Sequence, residues 1–255
     1  MTATVPTSSL RAWALALVVS LLLWNLPFGG VLLYPFKLLA TWMHELSHAV
    51  VMEIGRVGFD RMVLYDDSSG MAYAEGVSNR FARPYIAAAG YMGTPLVGGI
   101  LLVLTSTPQR ARWLLIAMGA ALAASALVII QNDFGRHAIG AIAMAFLVIG
   151  AAAPAQLRMW AMQFVAAQAC VHALLDIRVL FRSVQIIDGK PAAMSDAHMM
   201  AAATFGSTDR WAVWLWASAW LLWSLAVCFV AVRLAAQTET LAIPAADRSR
   251  DLPAQ

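Results

Sequence analysis

The sequence predicts an all-α protein that crosses a membrane about seven times, with a small β-hairpin inserted after its second long apolar segment. Composition is the first observation. Of 255 residues, 61% are hydrophobic and 12% charged, and mean hydropathy is +0.71. A soluble domain carries about 25% charged residues, so most of this surface faces lipid. The second observation is run length. A span of about 30 Å needs roughly 20 apolar residues, and such runs cover approximately 13–33, 36–54, 84–104, 113–130, 137–153, 159–180 and 211–234. The third is a polar interruption at 55–83, which alternates at Val57, Phe59, Arg61, Val63 and Tyr65. It turns at Asp66-Asp67-Ser68-Ser69-Gly70 and resumes with Met71, Tyr73 and Glu75, the pattern of a hairpin.

The segments between and beyond these runs have their own signals. Trp13, Trp24, Trp113, Trp160, Trp211 and Trp214 fall near span ends, where indole rings anchor at headgroup depth. The first run continues without a small-residue cleavage site before Pro27, so it reads as a retained membrane helix. Gly90, Gly93, Gly98 and Gly99, with Ala89 and Thr94, give the third span a small-residue face for close helix packing, and Pro95 can kink it. A second polar segment, 183–210, has turn residues at Asp188-Gly189-Lys190-Pro191 and a helix start at Ser195-Asp196. The predicted organisation is one membrane domain over 1–236 and a polar, disordered tail over 237–255.

Charge and cysteine content exclude several classes. The 17 basic residues against 14 acidic ones form no stripe or arm, which excludes nucleic acid as a partner and suits loops beside anionic lipid. The larger share of the basic residues falls on the side of the N-terminus, predicting a cytoplasmic N-terminus in the cell membrane. Cys170 and Cys228 lie in apolar runs as small buried hydrophobes, and their spacing fits no cysteine-based zinc site.

One constellation carries chemistry. His44-Glu45-Leu46-Ser47-His48 lies inside the second apolar run. Residues four apart on a helix differ by about 40° around it and about 6 Å along it, so both imidazoles reach one tetrahedral zinc. Zinc lowers the pKa of a bound water to about 7, and Glu45 is the base that accepts its proton. A carboxylate at the centre of a membrane helix costs about 2.5–3.5 kcal/mol on insertion scales, which marks Glu45 as functional. A catalytic zinc takes three protein ligands and leaves one position open. Asp176, late in the sixth span, is the expected third ligand; Asp133, Asp196 and His172 are its rivals. His172, one turn before Asp176, also suits a supporting role, and His137 and His198 are ordinary interface residues.

These residues resemble the site-2 protease family of intramembrane zinc metallopeptidases, in its compact branch without a PDZ domain. The likeness rests on His44–His48, the glycine-bearing segment 58–76, the small-residue third span and Asp176. It implies one Zn2+ per chain held by His44, His48 and Asp176, with Glu45 as catalytic base. It further implies a membrane-protein substrate cleaved within or beside its transmembrane segment, and a hairpin that offers a strand edge to an unwound substrate. The motif departs from the family's at Ser47, where glycine is commoner, and at Ile177, where glycine follows the aspartate. The alternative class is a non-proteolytic multi-pass protein, either a metal transporter or a scaffold with a structural zinc.

Overall fold

The protein's computed structural model describes residues 15, 18–20, 22–23, 25–76, 81–181, 185–192 and 194–242. Residues 18–20, 22–23 and 25 are helical, 26–28 turn, and α1 (Gly29–Ile54) begins there. The break between the first two predicted runs therefore falls before Gly29 and not at 34–35. Pro35 is carried inside the helix, as prolines are in membrane helices whose neighbours satisfy the freed carbonyl. The rest of the first run lies largely outside the described residues.

A hairpin of β1 (Phe59–Leu64) and β2 (Gly70–Ala74) follows. Four long helices come next with short links: α2 (Ala82–Leu104), α3 (Pro108–Val128), α4 (Asp133–Ala152) and α5 (Ala155–Leu180). A second hairpin, with three-residue strands β3 (Gln185–Ile187) and β4 (Lys190–Ala192), leads into α6 (Asp196–Phe205) and α7 (Arg210–Ala242). Only the turn of that second hairpin was visible in sequence. Its Asp188 and Gly189 both have positive φ, the signature of a tight primed turn.

Among the described residues, five helices are long and apolar enough to cross a membrane: α2, α3, α4, α5 and α7. They coincide with five of the seven predicted spans. The predicted count of seven is not reached, because Lys37, His44, Glu45 and His48 interrupt the apolarity of α1 and the first run is largely undescribed. Large apolar side chains such as Val31, Ile54, Tyr85 and Leu127 point outward, as expected of a lipid-facing surface. α7 continues through Ala242, past the predicted start of the tail, and 243–255 lie outside the described residues.

α2 is the hub, packed against α1, α5, α6 and α7. Its small residues make this possible: Cβ atoms at Gly98 and Gly99 would press on Ala169 and Cys170 of α5 and on Ala231 and Val227 of α7. Cys170 and Cys228 are both free thiols.

The hairpin is held edge-on against α1. β1 and β2 pair antiparallel with Met62 opposite Ala72 and Leu64 opposite Gly70, after a bulge between Phe59 and Arg61. The outer edge of β1 is occupied by the α3–α4 link. Met62 donates to Ile129 O at 2.8 Å and accepts from Gln131 N at 3.0 Å, while the Asn132 amide both accepts from Leu64 N and donates to Leu64 O. Met62 and Leu64 thus turn their main-chain groups away from β2. By the alternation of an antiparallel ladder, Ala72 and Gly70 turn theirs away from β1, leaving that edge of β2 to face α1. Straps fix this placement: Tyr34 OH donates to Asp66 O at 2.6 Å, Thr41 Oγ1 to Ser68 O at 2.7 Å, and Phe59 N to Glu53 Oε1 at 2.9 Å.

Candidate metal centre

α1 brings His44 and His48 to one face, their rings edge-to-face with centroids 4.8 Å apart. Both Nε2 atoms meet a single carboxylate oxygen, Asp196 Oδ2, at 3.1 Å from His44 and 3.3 Å from His48. Two ligands bound about 2.0–2.1 Å from a tetrahedral zinc stand about 3.3 Å apart, so these separations match one coordination sphere. One donor atom from each of the three residues lies within 4.8 Å of the others. Two imidazoles with one carboxylate form a donor set that zinc accepts.

The surroundings orient these donors. His48 Nδ1 lies 2.7 Å from Ile86 O of α2. A carbonyl only accepts, so Nδ1 donates its proton there and Nε2 is the ring nitrogen left to face Asp196, the orientation typical of a metal-ligating histidine. Tyr91 packs edge-on against His44 at 4.7 Å and stacks on Trp220 of α7 at 5.1 Å. A Cβ at Gly90 would overlap the Nε2, Cδ2 and Cε1 atoms of His44. The small-residue face of α2 is thus the cradle in which the first imidazole lies. Gly93 performs the same service for Ser47, whose side chain a Cβ there would overlap, so the serine that departs from the family motif has room.

Asp196 arrives from 152 residues downstream of His44. Ser195 caps α6 through His198 N, and the His198 ring returns to Ser195, closing a capping box with histidine where glutamate is usual. Asp196 is therefore the first residue of α6, where the helix dipole favours a negative charge. Burial by itself would raise its carboxyl, but His48 and then His44 outweigh burial and hold it well below the usual carboxylate range.

Glu45 is buried beside this group. The Ala72 N–H on the outward edge of β2 hydrogen-bonds to its carboxylate. A Cβ at Gly70 would stand 2.7 Å from Thr41 Cγ2 and 2.9 Å from Glu45 Cγ, so the hairpin lies directly on the face of α1 that bears the acid.

The structure brings His44, His48 and Glu45 together and places Asp196, not Asp176, at the two imidazoles. Asp176 stays on α5, within electrostatic reach of His44 and Tyr91, but contributes no donor to the group. Asp133 opens α4 as an exposed residue, and His172 is enclosed in α5. His137 is exposed and His198 serves the cap. Sequence reasoning missed Tyr91, whose only signal was an aromatic set between Gly90 and Gly93. It placed Asp196 among the rivals of Asp176; the helix start at Ser195 marked its carboxylate in a first turn.

A bundle of long apolar helices around a His-His-Asp group beside a buried glutamate defines a polytopic membrane protein of the metallopeptidase type. The chain belongs to the peptidase M50B-like family, whose model matches residues 12–231. This is the site-2 protease family, and no PDZ domain is found in the chain. No curated protein and no solved structure matches it.

Proposed function

We propose that this chain is an intramembrane zinc endopeptidase that hydrolyses peptide bonds within or beside transmembrane segments of other membrane proteins. In this reading His44, His48 and Asp196 hold one zinc, and Glu45 is the general base. The observation that carries it is the meeting of both Nε2 atoms on Asp196 Oδ2 with the Glu45 carboxylate buried one residue away.

Bound zinc supplies Lewis acidity, making water a nucleophile near neutral pH and polarising the peptide carbonyl. The Glu45 carboxylate takes the proton of the attacking water and delivers it to the leaving amide nitrogen. The Ala72 N–H steadies that carboxylate. His48, held by Ile86 O, and His44, held by Tyr91 and the space above Gly90, keep their donors aimed. Three protein donors among the described residues would leave a fourth position for solvent or substrate, whereas a structural zinc closes all four; this favours the enzyme over a scaffold.

A helical peptide bond is shielded by its own hydrogen bonds, so the substrate must unwind before attack. Pairing of an extended substrate segment with the outward edge of β2, a β-augmentation mode of recognition, requires that edge to part from α1, because the Ala72 N–H is already engaged by Glu45. An apolar groove of about 630 Å³ lined by Met43, Leu46, Ser47 and Val50 of α1 and by Ala89, Met92 and Gly93 of α2 adjoins the site. It suits a substrate with apolar flanks. The excess of basic residues on the N-terminal side supports a cytoplasmic N-terminus in the cell membrane, with 1–236 as the peptidase unit.

The test is Glu45→Gln in membranes containing a co-expressed substrate. Zinc content should stay at that of the parent while cleavage falls to background. Undiminished cleavage would overturn the assignment.

A further inference from the structure

The two hairpins touch at their tips, and the contact runs through one carboxylate. Asp67, in the β1–β2 turn, uses its two oxygens for different tasks. Oδ1 accepts from Ser69 N at 2.8 Å and from the Ser69 hydroxyl at 2.5 Å, closing the local turn. Oδ2 accepts from Gly189 N, in the β3–β4 turn, at 3.1 Å. The Ser69 hydroxyl oxygen in turn accepts from Asp188 N at 3.2 Å. Those local bonds explain the first half of Asp67; they do not explain why its second oxygen reaches across 122 residues.

Each partner in the clasp belongs to a different part of the site. The β1–β2 turn is strapped to α1 by Tyr34 and Thr41 and leads directly into β2, whose Ala72 amide holds Glu45. The β3–β4 turn leads through β4 into the cap of α6, where Asp196 is the first helical residue. A hairpin with three-residue strands has too few ladder bonds to hold a position by itself, and its turn residues are exposed. The Asp188 and Gly189 amides have the β1–β2 turn as their anchor. Burial would raise the Asp67 carboxyl, but the Ser69 and Gly189 bonds, with Lys37 nearby, outweigh it and lower it, so the carboxylate is charged when it clasps.

We infer that Asp67 is a positioning residue that ties the substrate-facing hairpin to the arm delivering Asp196, so that one clasp sets both the base and the third metal donor. The inference rests on the reading of Asp196 as a ligand. Residues that orient metal ligands without touching the metal typically change metal affinity or activity about 10–100-fold when removed.

Asp67→Asn separates the two tasks. The amide oxygen still accepts from Ser69 and keeps the turn, while the amide NH2 faces the Gly189 N–H and cannot accept from it. With zinc measured by chelator competition on the purified full chain, the variant should bind about 10-fold more weakly than the parent. Its kcat should fall with KM nearly unchanged, and its thermal midpoint should stay at the parent's. A second tie supplied by Ser69→Cys with Asp188→Cys, oxidised to a disulfide with a chemical oxidant, should restore zinc affinity to the Asp67→Asn chain. Affinity and turnover within twofold of the parent, or a loss that the disulfide leaves unrelieved, would overturn the inference. Failure of the metal reading itself has another signature: the parent then holds no stoichiometric zinc after chelator-free extraction, and the inference falls with it.

Discussion

Gly90→Ala adds one methyl group at the point where α2 meets the first imidazole. A Cβ at 90 would overlap three ring atoms of His44, so the ring must withdraw by about 1 Å. That is a displacement at which catalysis commonly loses about 10²-fold. His44 also packs edge-on against Tyr91 at 4.7 Å and contacts Asp196 Oδ2 at 3.1 Å, and withdrawal by that distance disturbs these contacts. The obstacle is the end of a rotatable side chain and not backbone, so the helices should remain packed and the overpacking cost should stay near about 1–3 kcal/mol. The expected result is a folded chain whose zinc affinity falls at least tenfold and whose cleavage falls about a hundredfold. Zinc analysis, a thermal melt in detergent and a membrane cleavage assay read these separately. A Gly90→Ala protein with the parent's zinc affinity and cleavage would refute the placement of His44 against α2. A chain that unfolds while the Gly140→Ala control, where a Cβ meets nothing within 4 Å, stays intact would show that Gly90 serves packing alone.

Other expectations follow from the same geometry. Asp196→Asn should abolish stoichiometric zinc while Asp176→Asn retains it; metal analysis showing the reverse would restore Asp176 as the ligand. Asn132→Ala leaves the buried Leu64 N–H and C=O without their side-chain partner, a loss of about 1–3 kcal/mol that should lower the thermal midpoint without changing zinc stoichiometry. Gly93→Ala should be tolerated when combined with Ser47→Gly and poorly tolerated alone, because the serine side chain is what the new methyl meets; equal expression and stability of the two would contradict the packing. Removal of zinc by a strong chelator should stop cleavage, with activity returning on zinc addition and not on magnesium, since imidazole donors favour the softer ion.

What was legible in the sequence was whatever local periodicity controls. His44 and His48 share a face because helical pitch puts residues four apart in line, and Glu45 follows from its place in the same turn. Five of the predicted spans recur because each needs only a run of apolar side chains, and the first hairpin because Asp66–Gly70 supplies turn chemistry between alternating segments. The second hairpin was too short to show a period, and the start of α1 depended on how the chain turns at Pro27 and Phe28. The carboxylate that meets the two imidazoles was beyond any local rule. Asp133, Asp176 and Asp196 are all carboxylates near helix ends, and no spacing separates them. The choice was made by glycines on α2 that let α1 lie close, and by a hairpin with three-residue strands that carries Asp196 back over the two imidazoles. Metal-ligand distances are set to tenths of an ångström, and such distances between parts of a chain 152 residues apart are fixed by packing.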